Sequence, residues 1–428
     1  MSPGAATRSL VFVVVTFAIV NGLALAAGVR VGDTDLHPLG WFLTGRQGGD
    51  SWRPMLQAYD FASTPEGRTR SLYEKLFFSP AVKHKGFQYP PTSLLAIAAA
   101  GWFGEERRLA VLELVTWACI PLTMAAVLGL LSGGLKRAPH AGIGLLLLLA
   151  IAATLAFYPA MRAYRNGQAQ TWINTLFAIA LLAFVRGRSG LAGVLLGATC
   201  LIKPQYGVIV LWGVLRREWR FALGALATGA LGLIASLLLF GVAPHLEYLN
   251  VLRFIAVRGE SFYPNQSVNG LMNRAVGNGL NLQWMDAMPD PHPWVRWSTL
   301  LSSALVVTWA LWPQRRSTPD SRAADLAMAT LAATMASPIA WEHHYGVLLP
   351  IFALLLVALG SRPVLGWATW PALAAAHLLS SHTWRITDGL AGTRLNFVQS
   401  YILAGAAIVL VLLQRLRSRS KAVAAELP

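Results

Sequence analysis

The chain has 428 residues, of which 55% are hydrophobic and only 13% charged, against roughly 25% charged in soluble domains. Apolar residues on that scale fill roughly a dozen membrane spans of ~20 residues, which excludes a disordered chain, a collagen-like or disulfide scaffold and an ordinary cytosolic enzyme. The net charge of +16 reads as positive-inside loops against anionic membrane lipids, and no basic motif points to nucleic acid.

The first apolar run, Leu10 to Val29, follows a short head carrying Arg8 and precedes no small-residue cleavage pattern, so a retained span is expected. Residues 30–108 form a long polar loop, interrupted by the apolar stretch Thr92 to Phe103, which is too short to cross ~30 Å of hydrocarbon and reads as a re-entrant or interfacial helix. Further spans are expected at about 109–132, 142–160 and 169–185. The paired run 190–201 and 205–215 is broken by Lys203-Pro204-Gln205. A charge and a proline at membrane depth are best accommodated at the tip of a helical hairpin lining a polar cavity. After a span at 221–241 comes a second polar loop, 242–294, and then spans at about 295–313, 323–339, 344–360, 363–381 and 395–415. Cys119 and Cys200 lie inside apolar runs and read as small core residues.

The expected fold is an all-α polytopic membrane protein of about 11–13 transmembrane helices, a single integral-membrane domain over residues 1–428. Basic residues in short loops (Lys136, Arg137, Arg186, Arg188, Arg216, Arg217, Arg220, Arg315, Arg316 and the tail from Arg415 to Lys421) orient the chain with both termini cytoplasmic. Loops 30–108 and 242–294 then lie outside. There is no 20–50-residue repeat and no inverted repeat between the halves, which weighs against a secondary transporter.

Polar residues converge on the external side from separate segments. The first loop holds Asp33, Asp35, Asp50, Asp60, Glu66 and Glu74 among basic residues, then the stiff Phe87-Gln88-Tyr89-Pro90-Pro91. A carboxylate there that faces a membrane-level cavity could act as a general base. Asn166-Gly167-Gln168, Lys203-Pro204, Asn265-Gln266-Ser267 with Arg274, and Ser337 to His344 complete the set. Each alone is weak, an Asn-Gln-Ser run being usually a loop and a His-His pair usually packing.

In order, an Asp opening the first loop (Asp50), Leu72-Tyr73, Phe-x-Tyr-Pro-Pro (Phe87 to Pro91), Gly167-Gln168, a Gly-rich helix ending in Lys (Gly190 to Lys203), Asn-Gln-Ser-x-x-Gly-x-x-x-Arg (Asn265 to Arg274) and Ser-Pro-Ile-x-Trp-x-His-His (Ser337 to His344) resemble glycosyltransferase family 87 of the GT-C superfamily. The last two elements are the more specific. Asp50 stands further from Tyr73 than the family spacing, with Glu66 to Arg70 reading as an insertion. Asp33 and Asp35 are its rivals, and Asp35-Leu36-His37 echoes the surroundings of the acid in a characterised member. Choosing Asp35 lengthens the gap further, so Asp50 is preferred.

The resemblance implies a GT-C-type bundle in the bacterial cytoplasmic membrane that transfers a sugar, with mannose the leading guess, from a polyprenyl phosphate to a lipid or glycan acceptor on the external face. It implies inversion, no cofactor and no metal. Asp50 would be the base. Lys203, Arg274 and His344, with Arg162 or Arg165 nearby, would hold the donor phosphate, whose departure needs positive charge more than acid catalysis. Tyr89, Gln168, Asn265, Gln266, Ser267 and His343 would contact substrate. The alternatives are a transporter or flippase of lipid-linked sugars and a non-enzymatic envelope assembly subunit.

Overall fold

The computed structural model describes residues 38–67, 69–81, 86–133, 140–285, 287–313, 318–361 and 369–418. The expected span Leu10 to Val29, the rival acids Asp33 and Asp35, the loop cations Lys136, Arg137, Arg315 and Arg316, and the tail beyond residue 418 lie outside the described residues. In chain order the α-helices are α1 (Pro38–Thr44), α2 (Trp52–Ser63), α3 (Leu95–Ala100), α4 (Arg108–Gly133), α5 (His140–Ala156), α6 (Tyr158–Arg165), α7 (Gln170–Val185), α8 (Ser189–Ile202), α9 (Gly207–Leu215), α10 (Trp219–Phe240), α11 (Ala243–Arg258), α12 (Val268–Ala275), α13 (Pro293–Leu311), α14 (Pro319–Met335), α15 (Leu348–Ser361), α16 (Thr369–Ser381) and α17 (Tyr401–Ser418). Extended pairing among the described residues is limited to a bridge between Asn265 and Trp341.

The protein is an all-α polytopic membrane protein. Among the described residues, Glu105–Gly133, Trp219–Phe240, Glu342–Leu359 and Asn396–Ser418 are long and apolar enough to cross a bilayer, with a fifth span if Ile143–Ala156 and Tyr158–Arg165, bent by 61°, count as one. Gln170–Val185, Ser189–Ile202 and Pro204–Leu215 are apolar but shorter. The 16 residues of α7 rise only about 24 Å. The paired run 190–201 and 205–215 is short, as expected, and with α7 it makes a set of shorter helices that begin or end at the polar residues Gln170 and Lys203.

α14 is buried on nearly every side, because Ala323, Ala324, Ala327, Ala329, Ala332 and Ala333 let its neighbours approach closely. α10 and α13 instead present Leu231, Leu238, Trp297, Leu301 and Leu305 outward, and α10 is among the helices long and apolar enough to cross a bilayer.

The broken run folds back on itself as a hairpin. α8 and α10 run parallel, since a Cβ at Gly193 would meet the backbone of Phe221 and one at Gly197 would lie 2.6 Å from the Ala225 carbonyl. Side chains in place of these glycines would push the two helices apart. Gly213, near the end of α9, also lies against Phe221, so α9 has returned to the level at which α8 began. Lys203 occupies the turn in extended conformation (φ −136°, ψ 101°), as the residue before a proline should.

The short apolar stretch of the first loop is a helical run over Pro91–Phe103. Thr92 Oγ1 donates to the Leu201 carbonyl at 2.6 Å, fixing its start beside the hairpin tip. Trp52, Met55, Tyr73, Phe77, Phe87 and Ile97 of the first loop share a separate apolar core with Tyr248 and Val251 of α11. Glu66 and Arg70 are exposed and form an ion pair at 2.8 Å, outside that core.

At the opposite end of the bundle, Asp325 on α14 accepts from Arg216 Nε and from Arg417 Nη1, both at 2.7 Å. The two guanidiniums also donate to the carbonyls of Trp309, Ala310, Leu311 and Trp312 at the end of α13. One carboxylate therefore ties the hairpin's return, α13 and α17 together. Asp325→Ala is expected to cost on the order of 3–5 kcal/mol, read as a lowered unfolding midpoint in detergent. A midpoint equal to that of the unmodified protein would refute the clamp.

Candidate functional site

Asp50 is positioned by its backbone. Gly48 N donates to the Arg165 carbonyl at 2.7 Å, Asp50 N to Asn166 at 3.1 Å and Ser51 N to Gly167 at 3.3 Å. Such close approach requires glycine on both sides: Gly167 has φ +65°, and a Cβ on Gly48 would lie 2.6 Å from the Asn166 oxygen. Gln168 then reaches Asp50, its Nε2 lying 3.4 Å from Oδ2. Burial raises the Asp50 pKa above its usual value of 3.8, opposed by the Gln168 hydrogen bond and by the charges of Arg162 and Arg53.

Behind Asp50, the Ser51 hydroxyl donates to Gln168 Oε1 at 2.8 Å and lies 2.7 Å from the Tyr89 hydroxyl. Since the serine proton is directed to Gln168, Tyr89 is the donor to Ser51. Burial pushes the Tyr89 hydroxyl up to about 12, so it remains a neutral donor. Tyr89 and Gln168 thus orient the acid's surroundings.

Two residues on from Gln168, at the first residue of α7, the buried Gln170 accepts from Lys203 Nζ at 2.8 Å. Lys203 Nζ is also 2.7 Å from His344 Nε2. An ammonium at this position has only donors, and with it His344 would accept through Nε2 and carry its proton on Nδ1. His343 packs edge-to-face on His344, with ring centroids 4.8 Å apart. Its Nδ1 is buried without a hydrogen-bond partner.

Arg162 joins the two halves. It lies within electrostatic reach of Asp50 on one side and His343 on the other. Its Nε is 3.5 Å from Glu342 Oε1, which also accepts from the Tyr158 hydroxyl at 2.8 Å. Asp50, Gln168, Arg162, Gln170, Lys203 and the histidine pair thus form one continuous polar cluster at a single end of the bundle. Arg165 turns away, its guanidinium 6.0 Å from the Trp41 ring.

The structure departs from expectation at the Asn-Gln-Ser segment and Arg274, all at most 1% exposed. Asn265 donates to the carbonyls of Glu260 and Pro338 and accepts from Ser267 and from Ala340 N. Gln266 donates to the carbonyls of Tyr263 and Gln399 and accepts from Ile402 N. Ser267 caps α12 by accepting from Gly270 N. Arg274 donates to the carbonyls of Ser261, Phe262 and Asn265 and to Ser400 Oγ. Their polar atoms satisfy the main chain of an irregular loop and do not enter the cluster. They act on it indirectly, by fastening the turn that carries the histidines: Tyr345 OH donates to the Gln266 carbonyl and Glu342 N to that of Pro264.

Reading the sequence singled out neither Gln170, Tyr158 nor Glu342. The chain bends at Phe157, where a single span was expected, and the bend carries Tyr158 and Arg162 to the cluster. The Tyr158-Pro159 pair followed by Arg162 and Arg165 is the signal that marks it. Among the described residues no three His, Cys, Asp or Glu side chains converge to hold a metal ion.

Comparison with known proteins bears on the same residues. The model of glycosyltransferase family 87 matches residues 87–338, a stretch that includes Tyr89, Gln168, Lys203 and Asn265 to Arg274. The chain is also similar to the polyprenol-phosphate-mannose-dependent alpha-(1-2)-phosphatidylinositol mannoside mannosyltransferase of Mycobacterium tuberculosis, with 26% identity over 365 residues and 79% of each chain covered.

Proposed function

The chain belongs to glycosyltransferase family 87, and from that premise we propose that it moves a hexose, mannose first among them, from a polyprenyl phosphate to a hydroxyl of a lipid or glycan acceptor on the external face of the bacterial cytoplasmic membrane, with inversion. The observation that carries this reading is the pairing of Lys203 with His344 at the hairpin tip, in one polar cluster with Asp50. The donor phosphate would lie beside Lys203 and His344, where its prenyl tail stays in hydrocarbon and the sugar extends toward Asp50. Asp50, from the opposite side, takes the proton of the acceptor hydroxyl as that oxygen forms the new glycosidic bond. The bond to the phosphate oxygen breaks, and the charge left on the phosphate is met by Lys203. Attack and departure on opposite faces invert the anomeric centre. Membership of a glycosyltransferase family sets aside the transporter reading.

The test is sugar transfer by purified protein from polyprenyl-phosphate mannose and from nucleotide sugars in parallel, with phosphatidylinositol mannosides among the acceptors. Transfer is expected from the lipid-linked donor. Transfer from a nucleotide sugar alone would sink the reading.

The orientation has its own test. In intact cells, cysteines at the exposed positions Ser63 and Gln283 are expected to react with an impermeant thiol reagent, and one at Arg188 only after permeabilisation. Cys119 is buried, and Cys200, which is only partly buried, is replaced by Ala beforehand. The reverse labelling pattern would place the site on the cytoplasmic face.

A further inference from the structure

Glu342 is 3% exposed, yet its hydrogen-bonding capacity is at most half used. Oε1 accepts from the Tyr158 hydroxyl and forms an ion pair with Arg162 at 3.5 Å, whereas Oε2 is buried with no partner. The next residue, His343, likewise has a buried Nδ1 with no partner. Two orphaned polar atoms on consecutive residues are unusual, because buried polar atoms are nearly always paired. The turn does not need either side chain to hold its shape. Its backbone is fastened by Glu342 N to Pro264, His344 N to Trp341 and Tyr345 OH to Gln266.

The same 3-10 turn, Glu342–Val347, carries His344 against Lys203. A hexose attached to a phosphate held at Lys203 is one bond from that phosphate, so its ring hydroxyls fall within reach of this turn. Resting on the donor-site reading above, we propose that Glu342 is a specificity-determining residue whose Oε2 binds a ring hydroxyl of the donor hexose, with the unpartnered His343 Nδ1 on the adjoining residue of the same turn. A carboxylate oxygen accepts from a hydroxyl and cannot pair with its absence, so an analogue lacking that hydroxyl leaves the oxygen buried and unpaired. Sites of this kind reject the lacking analogue far more strongly than sites that only measure size. Arg162, 3.5 Å from Oε1, fixes the orientation of the carboxyl group.

The test measures donor binding by titration calorimetry, so it needs no acceptor. The purified full-length chain in nanodiscs is titrated with polyprenyl-phosphate mannose and with each of its monodeoxy analogues. In the unmodified protein one analogue is expected to bind about 10–100-fold more weakly than the parent. In E342Q, which keeps an acceptor for Tyr158 but turns the free oxygen into a donor, that one penalty is expected to shrink to within about threefold while the penalties at the other hydroxyls persist. E342D, which keeps the charge but withdraws its reach, should behave in the same way and carries the test if E342Q does not fold. Equal penalties in the unmodified protein and the variants would overturn this assignment alone. Failure of the unmodified protein to bind any polyprenyl-phosphate hexose would overturn the donor-site reading and this assignment with it.

Discussion

Asp50→Asn is expected to lower turnover by at least ~10²–10⁴-fold, the usual contribution of a positioned general base, while donor binding stays close to that of the unmodified protein. The amide fills nearly the same volume and still receives Gln168, but it cannot take the acceptor's proton. The pH profile gives a second signature. Burial raises the Asp50 pKa from 3.8, and the base works only when ionised. Hence kcat/KM should climb from acid pH to a plateau, with its midpoint above 3.8, and the residual activity of Asp50→Asn should lack that limb. The linked effect on stability has the opposite sign from that of an ion-paired acid. A carboxyl whose folded pKa is raised binds its proton more readily folded than unfolded. Its burden on stability is therefore absent below pH 3.8 and sets in as pH rises through the folded pKa. Asp50→Asn should consequently unfold at no lower temperature than the unmodified protein at neutral pH. A variant that is inactive because it has melted early would not support the assignment, and one with near-normal turnover would return the role to Asp35.

Much of the framework could be read from residue order. The Lys203-Pro204 break called for a turn between two helices and Tyr89-Pro90-Pro91 for a stiff extended segment, and Lys203 and Pro90 are both extended. The gathering of Gln168, Lys203 and His344 at one end followed from placing polar breaks between apolar runs of countable length. The same reasoning could not tell which polar residues face inward. Asn265, Gln266, Ser267 and Arg274 are of the types that bind sugars and phosphates, but an irregular buried loop has carbonyls that need donors, and these side chains supply them. Conversely, Glu342 looked like a spacer between Trp341 and the histidines. Only the bend after α5 brings Tyr158 and Arg162 to it, and a bend of 61° has no periodicity to announce it. Hydropathy placed α7 well, the expected run 169–185 matching Gln170–Val185, but it does not register that Gln170 carries the start of that helix into the site.

Lys203→Ala is expected to weaken donor binding by about 10–100-fold, as befits loss of a charge-assisted hydrogen bond, and to reduce kcat/KM further, by about 10²–10³-fold. The two effects differ because the phosphate changes as the bond breaks. In the donor it is a diester with one charge, and on leaving it becomes a monoester that gains a second. A cation fixed beside it is worth more at the transition state than in the bound ground state, so its removal must appear in turnover as well as in affinity. Asp50→Asn, in contrast, should leave affinity intact. His344 gives the control that separates charge from geometry. Its Nε2 lies 2.7 Å from Lys203 Nζ, so His344→Ala frees the lysine side chain without removing it and should cost less than Lys203→Ala, whereas Lys203→Arg should retain part of the binding. The structural alternative is a lysine whose work is to hold Gln170 and His344 at the hairpin tip. That alternative predicts a lowered unfolding temperature for Lys203→Ala, no change in donor affinity among the molecules that remain folded, and equal losses for Lys203→Ala and His344→Ala. Donor titration of the two variants, together with their unfolding midpoints, decides between them.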